Sequence, residues 1–114
     1  MSSRVKTVTA TTTQTVVLGE AASGRVGRWA IQIEGTGSDN WTVDVNSKSV
    51  ADGDMTATAK SFWDLVAGAM ATTQPASATA TTYHLLVDST GQSVELACTV
   101  TAGGPKIAAA AVEG

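Results

Sequence analysis

A chain of 114 residues has the size of one domain, and its net charge of −3 argues against a general nucleic-acid binder. Its 43% hydrophobic content excludes general disorder, while 4% aromatics leaves a core of Val, Ile, Leu and Ala around a few large anchors. Its 18 Thr and 19 Ala are spent on backbone pairing and close packing, and with one His and one Cys the chain presents no cluster of side chains suited to catalysis.

Val5 to Ala10 and Thr13 to Leu18 are rich in Thr and Val and predict two extended segments. Residues 1–18 are either a Thr-rich N-terminal arm or the first strands, ahead of a β-sandwich domain over 19–114. Gly19 to Gly24 is a loop with glycine at both ends. Arg28 to Glu34 alternates, with Trp29, Ile31 and Ile33 on one face, and Trp41 to Asn46 alternates again, with Trp41, Val43 and Val45 inward. The turn residues Gly35 to Asn40 between them predict a hairpin. Ser47 to Lys60 is polar, and Phe62 to Val66 fits a short strand or a single helical turn. Ala67 to Thr82 reads as a long surface connection, with room for an edge strand. Tyr83 to Asp88 is a strand, Ser89 to Gln92 turns it, and Val94, Leu96, Cys98 and Val100 alternate along the next strand. Gly103-Gly104-Pro105 leads into a last strand, Lys106 to Val112, whose alanines would also tolerate a helix. Seven or eight short strands without a convincing helix predict an all-β, antiparallel β-sandwich, with a small β-barrel as the alternative.

The charge is uneven. Residues 1–28 hold Arg4, Lys6, Arg25 and Arg28 against Glu20, a balance of +3; residues 29–114 hold Lys48, Lys60 and Lys106 against nine acids, a balance of −6. A basic first quarter suits docking onto an acidic surface, and Arg4, Lys6, Thr7, Thr9, Arg25 and Arg28 are the candidate docking residues; scattered solvating charge is the plainer reading. Cys98, alone and in an alternating run, reads as a small buried hydrophobe. The start of the chain has no apolar segment of a secretory signal, and no window approaches the length of an apolar membrane span.

The remaining motifs have structural explanations. Asp52-Gly53-Asp54 begins like a calcium loop, but no suitably spaced glutamate follows, so it reads as a turn. Asn40-Trp41-Thr42 matches a glycosylation sequon without a signal peptide to expose it. His84 has acids for partners in Asp88 or Glu95 but no nucleophile motif, and reads as a solvent-facing strand residue. The glycines form no phosphate-binding loop. Trp29, Trp41 and Trp63 could form a platform for stacking carbohydrate, but two of the three lie on the inward face of predicted strands, so core anchors are the favoured reading. No metal, cofactor or catalytic residue is indicated.

From Trp29 to Val112 the chain resembles small β-sandwich virion proteins of tailed bacteriophages, the capsid decoration and cement proteins among them. The resemblance lies in Ile31-Gln32-Ile33-Glu34-Gly35-Thr36-Gly37, Trp41-Thr42-Val43-Asp44-Val45, Phe62-Trp63-Asp64-Leu65, the strand Tyr83 to Asp88, Gly91, Val94-Glu95-Leu96 and Gly103-Gly104. The chain departs from that pattern in carrying Glu95 where an arginine is common, and in its longer connection around Ala67 to Thr82. The resemblance implies a non-enzymatic structural protein, made in the host bacterial cytoplasm and resident in the virion. It implies a homo-oligomer bound to the major capsid protein or another virion protein, with no nucleic acid or membrane as partner. In that reading the stretch Ser2 to Thr15 docks by adding a strand to a neighbour's sheet edge. A receptor- or glycan-binding module using Trp63 and the 67–82 connection is one alternative, and a tail or head–tail connector component is another.

Overall fold

Where apolar residues recur at every second position, the chain makes a strand with one buried face. The computed structural model describes residues 5–22, 26–51, 54–78 and 80–113. In chain order the strands are β1 (Val5–Thr9), β2 (Gln14–Gly19), β3 (Gly27–Glu34), β4 (Asn40–Ser49), β5 (Thr58–Ala59), β6 (Phe62–Asp64), β7 (Ala69–Ala71), β8 (Thr82–Asp88), β9 (Gln92–Ala102) and β10 (Lys106–Glu113). They form a six-stranded sheet in the order β1-β10-β3-β8-β6-β7 and a four-stranded sheet in the order β2-β9-β4-β5, with every pairing antiparallel. The two sheets stack face to face, so the molecule is a β-sandwich and not a closed barrel.

The inward positions expected from alternation supply the core. Trp29, Ile31 and Ile33 on β3 lie in one cluster with Trp41, Val43 and Val45 on β4, and both tryptophans are 1% exposed. Leu85, Val87, Val94, Leu96, Cys98, Ile107 and Ala109 complete the layer. Trp41 meets Tyr83 edge-on across the sandwich, with ring centroids 6.4 Å apart. The alanines of β10 alternate like any strand: Ala109 faces the core, while Ala108 and Ala110 lie on the outer side. Flanked by β1 and β3 on its two sides, this segment has its backbone bonds met by a ladder, and the helical option is not taken.

The expected hairpin between β3 and β4 does not form. β3 pairs with β10 and β8, β4 pairs with β9 and β5, and the turn after Glu34 carries the chain from one sheet to the other. The turns after β8 and β9 make the same crossing. Alternation gives each strand an inward face, but two such strands satisfy it equally as neighbours or as partners across the core. At the β9–β10 crossing Gly103 (φ 72°) and Gly104 (φ 143°) take left-handed backbone that side chains rarely adopt, and a Cβ on Gly104 would run into the Ala10 carbonyl oxygen.

The segments that sequence left vague close the edges. Phe62–Asp64 is a strand and a turn follows it, so both readings of that stretch are partly met. The connection after Thr72 straps the sandwich: Ala76 bridges Thr42, Val43 N donates to Pro75 O (2.8 Å), and Ser77 N donates to Trp41 O (3.0 Å). The Tyr83 hydroxyl donates to Ala76 O (2.8 Å) and fixes the strap from the other sheet. Pro75, which has no N–H to lose, is buried there.

Candidate functional site

The candidate docking residues do not converge. β1 pairs along its length with β10, from Val5 opposite Ala110 to Thr9 opposite Lys106, and β2 pairs with β9. The described part of the N-terminal stretch is therefore built into both sheets of its own sandwich. Lys6 shares the inner side of β1 with Val8, opposite Ala109, and its Nζ reaches across to donate to Val17 O (3.1 Å) on β2 in the other sheet. An inward charge at a sheet margin is a recognised guard against edge-to-edge pairing. Thr7 and Thr9 are exposed on the outer side of the same strand. Arg28 lies on β3 opposite Asp88 of β8, well away from them in register. Arg4 and Arg25, and the Asp52-Gly53 turn, fall outside the described residues.

The two outer faces differ in chemistry. The four-stranded sheet turns Thr42, Asp44, Asn46, Lys48 and Glu95 outward, with Lys48 and Glu95 paired at 3.5 Å. The six-stranded sheet turns out Ala30, Ala108, Ala110 and Leu86 beside Val5 and Leu65. Because alanine stops at Cβ, Val5 and Leu65 stand above a shallow trough of about 260 Å³, with Gln32 and His84 as its polar members. His84 is half-buried on this face, and neither Asp88 nor Glu95 bonds it: Asp88 is engaged with Thr90, and Glu95 is on the other sheet with Lys48.

A second concavity, about 550 Å³, opens where the chain crosses from β5 to β6. β6 pairs with β8 only through Trp63 and Asp64, so Lys60, Ser61 and Phe62 diverge from the end of β8 and leave a cleft. Trp63 (40% exposed), Met70 (60% exposed) and Leu86 give it an apolar wall, and Arg28, Lys60, Asp88 and Gln92 give it a polar one. Lys60 Nζ donates to Gln92 Oε1 at 2.7 Å. Asp88 Oδ1 accepts from Thr90 N (2.9 Å) and Thr90 Oγ1 (2.8 Å). Those two bonds, the backbone one first, hold the Asp88 carboxyl below its ordinary pKa, with Lys60 and Arg28 adding attraction. The Arg28 guanidinium has no hydrogen-bond or ion-pair partner among the described residues.

The three tryptophans divide between the two readings. Trp29 and Trp41 are core anchors as expected, but Trp63 stands on the outer face. The signal was present: Phe62 and Trp63 are consecutive in a strand, so only one of them can face the core. Cys98 is buried, and burial pushes its thiol up to about 11, which makes it a packing residue and a poor nucleophile. Among the described residues no group of three or more His, Cys, Asp or Glu side chains is placed to hold a metal ion.

No protein-family model matches the chain, and no curated protein sequence is similar to it. Its fold is shared with a solved structure, the SPBc2 prophage-derived protein YomS. The two superpose with a TM-score of 0.67 over 99% of this chain and 96% of that one, at 13% sequence identity. At this identity the likeness is one of fold, and it spans nearly the whole of both chains.

Proposed function

We propose that this protein is a non-enzymatic structural component of a bacteriophage particle, a decoration or cement protein of the capsid shell. The observation that carries the reading is a sandwich whose fold is shared, over 99% of this chain and 96% of the other, with a prophage-derived protein. The outer face of the six-stranded sheet supports it. Ala30, Ala108 and Ala110 let another protein's surface approach the backbone closely, while the opposite face is clothed in polar and charged side chains. We assign the alanine face to the shell, with the major capsid protein as partner. Such a protein acts through energetics alone. Binding the assembled shell and not its free subunits stabilises the assembly by mass action, and many copies, themselves associated, multiply a weak contact.

The test is quantitative mass spectrometry of particles purified from cells that produce them. A copy number comparable with that of the shell subunits is expected. A handful of copies would move the protein to a tail or connector position, and its absence from particles would overturn the reading.

A further inference from the structure

We propose that the cleft between β6 and the end of β8 is a binding site for a saccharide that carries a carboxylate. This inference does not depend on the protein's place in a particle. A pyranose ring offers a flat C–H face and a rim of hydroxyls, and a site for it needs an exposed aromatic beside groups that both donate and accept. The cleft holds that combination. Trp63 and Met70 are left uncovered on a protein that buries its other two tryptophans almost completely. An exposed indole paired across strands with an exposed thioether is apolar surface left open to solvent. Its volume of about 550 Å³ falls within the range of small-ligand sites.

The polar wall narrows the ligand further. Arg28 is a five-donor planar fork with nothing bound to it among the described residues, and such a fork matches a carboxylate bidentately. Asp88, ionised and held in place through Oδ1 by Thr90, is an acceptor for sugar hydroxyls. Lys60, tied to Gln92, adds a fixed cation. A phosphate dianion fits less well, because it donates nothing to Asp88 and is repelled by it. A neutral sugar leaves Arg28 unused. An acidic sugar uses the indole, the guanidinium and the carboxylate together.

The experiment is a titration of the intact protein with trigalacturonate, followed by calorimetry and by the three indole N–H signals in NMR. Maltotriose and citrate serve as the neutral-sugar and plain-anion controls. Saturable binding is expected to shift the Trp63 signal while those of buried Trp29 and Trp41 stay in place. Arg28→Gln is expected to weaken trigalacturonate about tenfold and bring it level with maltotriose, and Trp63→Ala to abolish binding of both. Both side chains changed, Arg28 and Trp63, are at the surface, and a melting temperature equal to the parent's shows that each variant is folded. Absence of saturable binding, an unmoved Trp63 signal, or citrate binding as tightly as trigalacturonate would each overturn the proposal.

Discussion

At the scale of single residues, Trp41 ties several parts of the molecule together. Its ring is buried against Tyr83, its Nε1 donates to Asp39 Oδ2 (2.7 Å), and its main chain bonds Ser77 of the strap. Trp41→Ala removes the ring and leaves a cavity between the sheets, so a loss of about 3–5 kcal/mol is expected in urea unfolding. An unchanged midpoint would mean that β4 is set in the wrong register. Burial alone would raise the Asp39 carboxyl, but the bonds from the Trp41 indole and the Thr36 amide outweigh it and hold the group below its ordinary value; Asp88 is lowered by Thr90. A carboxyl depressed in the folded state contributes stability that is complete above its unfolded pKa, near 3.8, and lost as pH falls through the folded value. Unfolding midpoints are therefore expected to be flat from pH 7 to about 5 and to drop below about pH 4. In Asp88→Asn combined with Asp39→Asn, that acid drop should be smaller.

At the scale of elements, alternation located β3, β4 and β9 and named their inward residues, because a period of two is imposed by the strand itself, while β8 and β10 were legible as strands from their composition and flanking turns. Alternation left open which strands pair, and so the β3–β4 hairpin was a wrong expectation. It also missed β5 and the Ala76 bridge, whose Ala- and Thr-rich sequence carries no period and whose strand form comes from the neighbour they seal, while β7 is the edge strand for which Ala67 to Thr82 left room. The candidate site was still less readable: Arg28, Lys60, Asp88 and Trp63 lie on separate elements and meet only through the crossing from β5 to β6. The N-terminal strands give a direct test of the architecture. Deleting residues 1–12 removes β1 and Ala10, uncovering Ile107 and Ala109 at a new sheet edge. A loss of about 2–4 kcal/mol is expected in thermal or urea unfolding from the apolar area exposed. A truncated protein as stable as the parent would show that β1 is dispensable to the domain and available to a neighbour.

At the scale of the whole molecule, the contrast between the two outer faces sets which side meets a partner. Ala108→Arg places a long charged side chain on the alanine face at an exposed position. Stability should stay within about 0.5 kcal/mol of the parent, as for other surface changes, while co-sedimentation with undecorated particles is lost. Binding at full strength would clear that face of any role. The order of strands carries a different consequence, for synthesis. The fifth residue is paired with the 110th, β2 with β9, and β3 with β8 and β10. As the chain leaves the ribosome, its first three strands have no sheet to join until the last third is made. Threonine-rich strands that wait in this way are exposed to one another on neighbouring nascent chains. Folding is therefore expected late in synthesis, after β8, β9 and β10 have been made. Chains arrested before Lys106 should be degraded by added protease as readily as unfolded protein, with resistance arriving in one step once β10 is free.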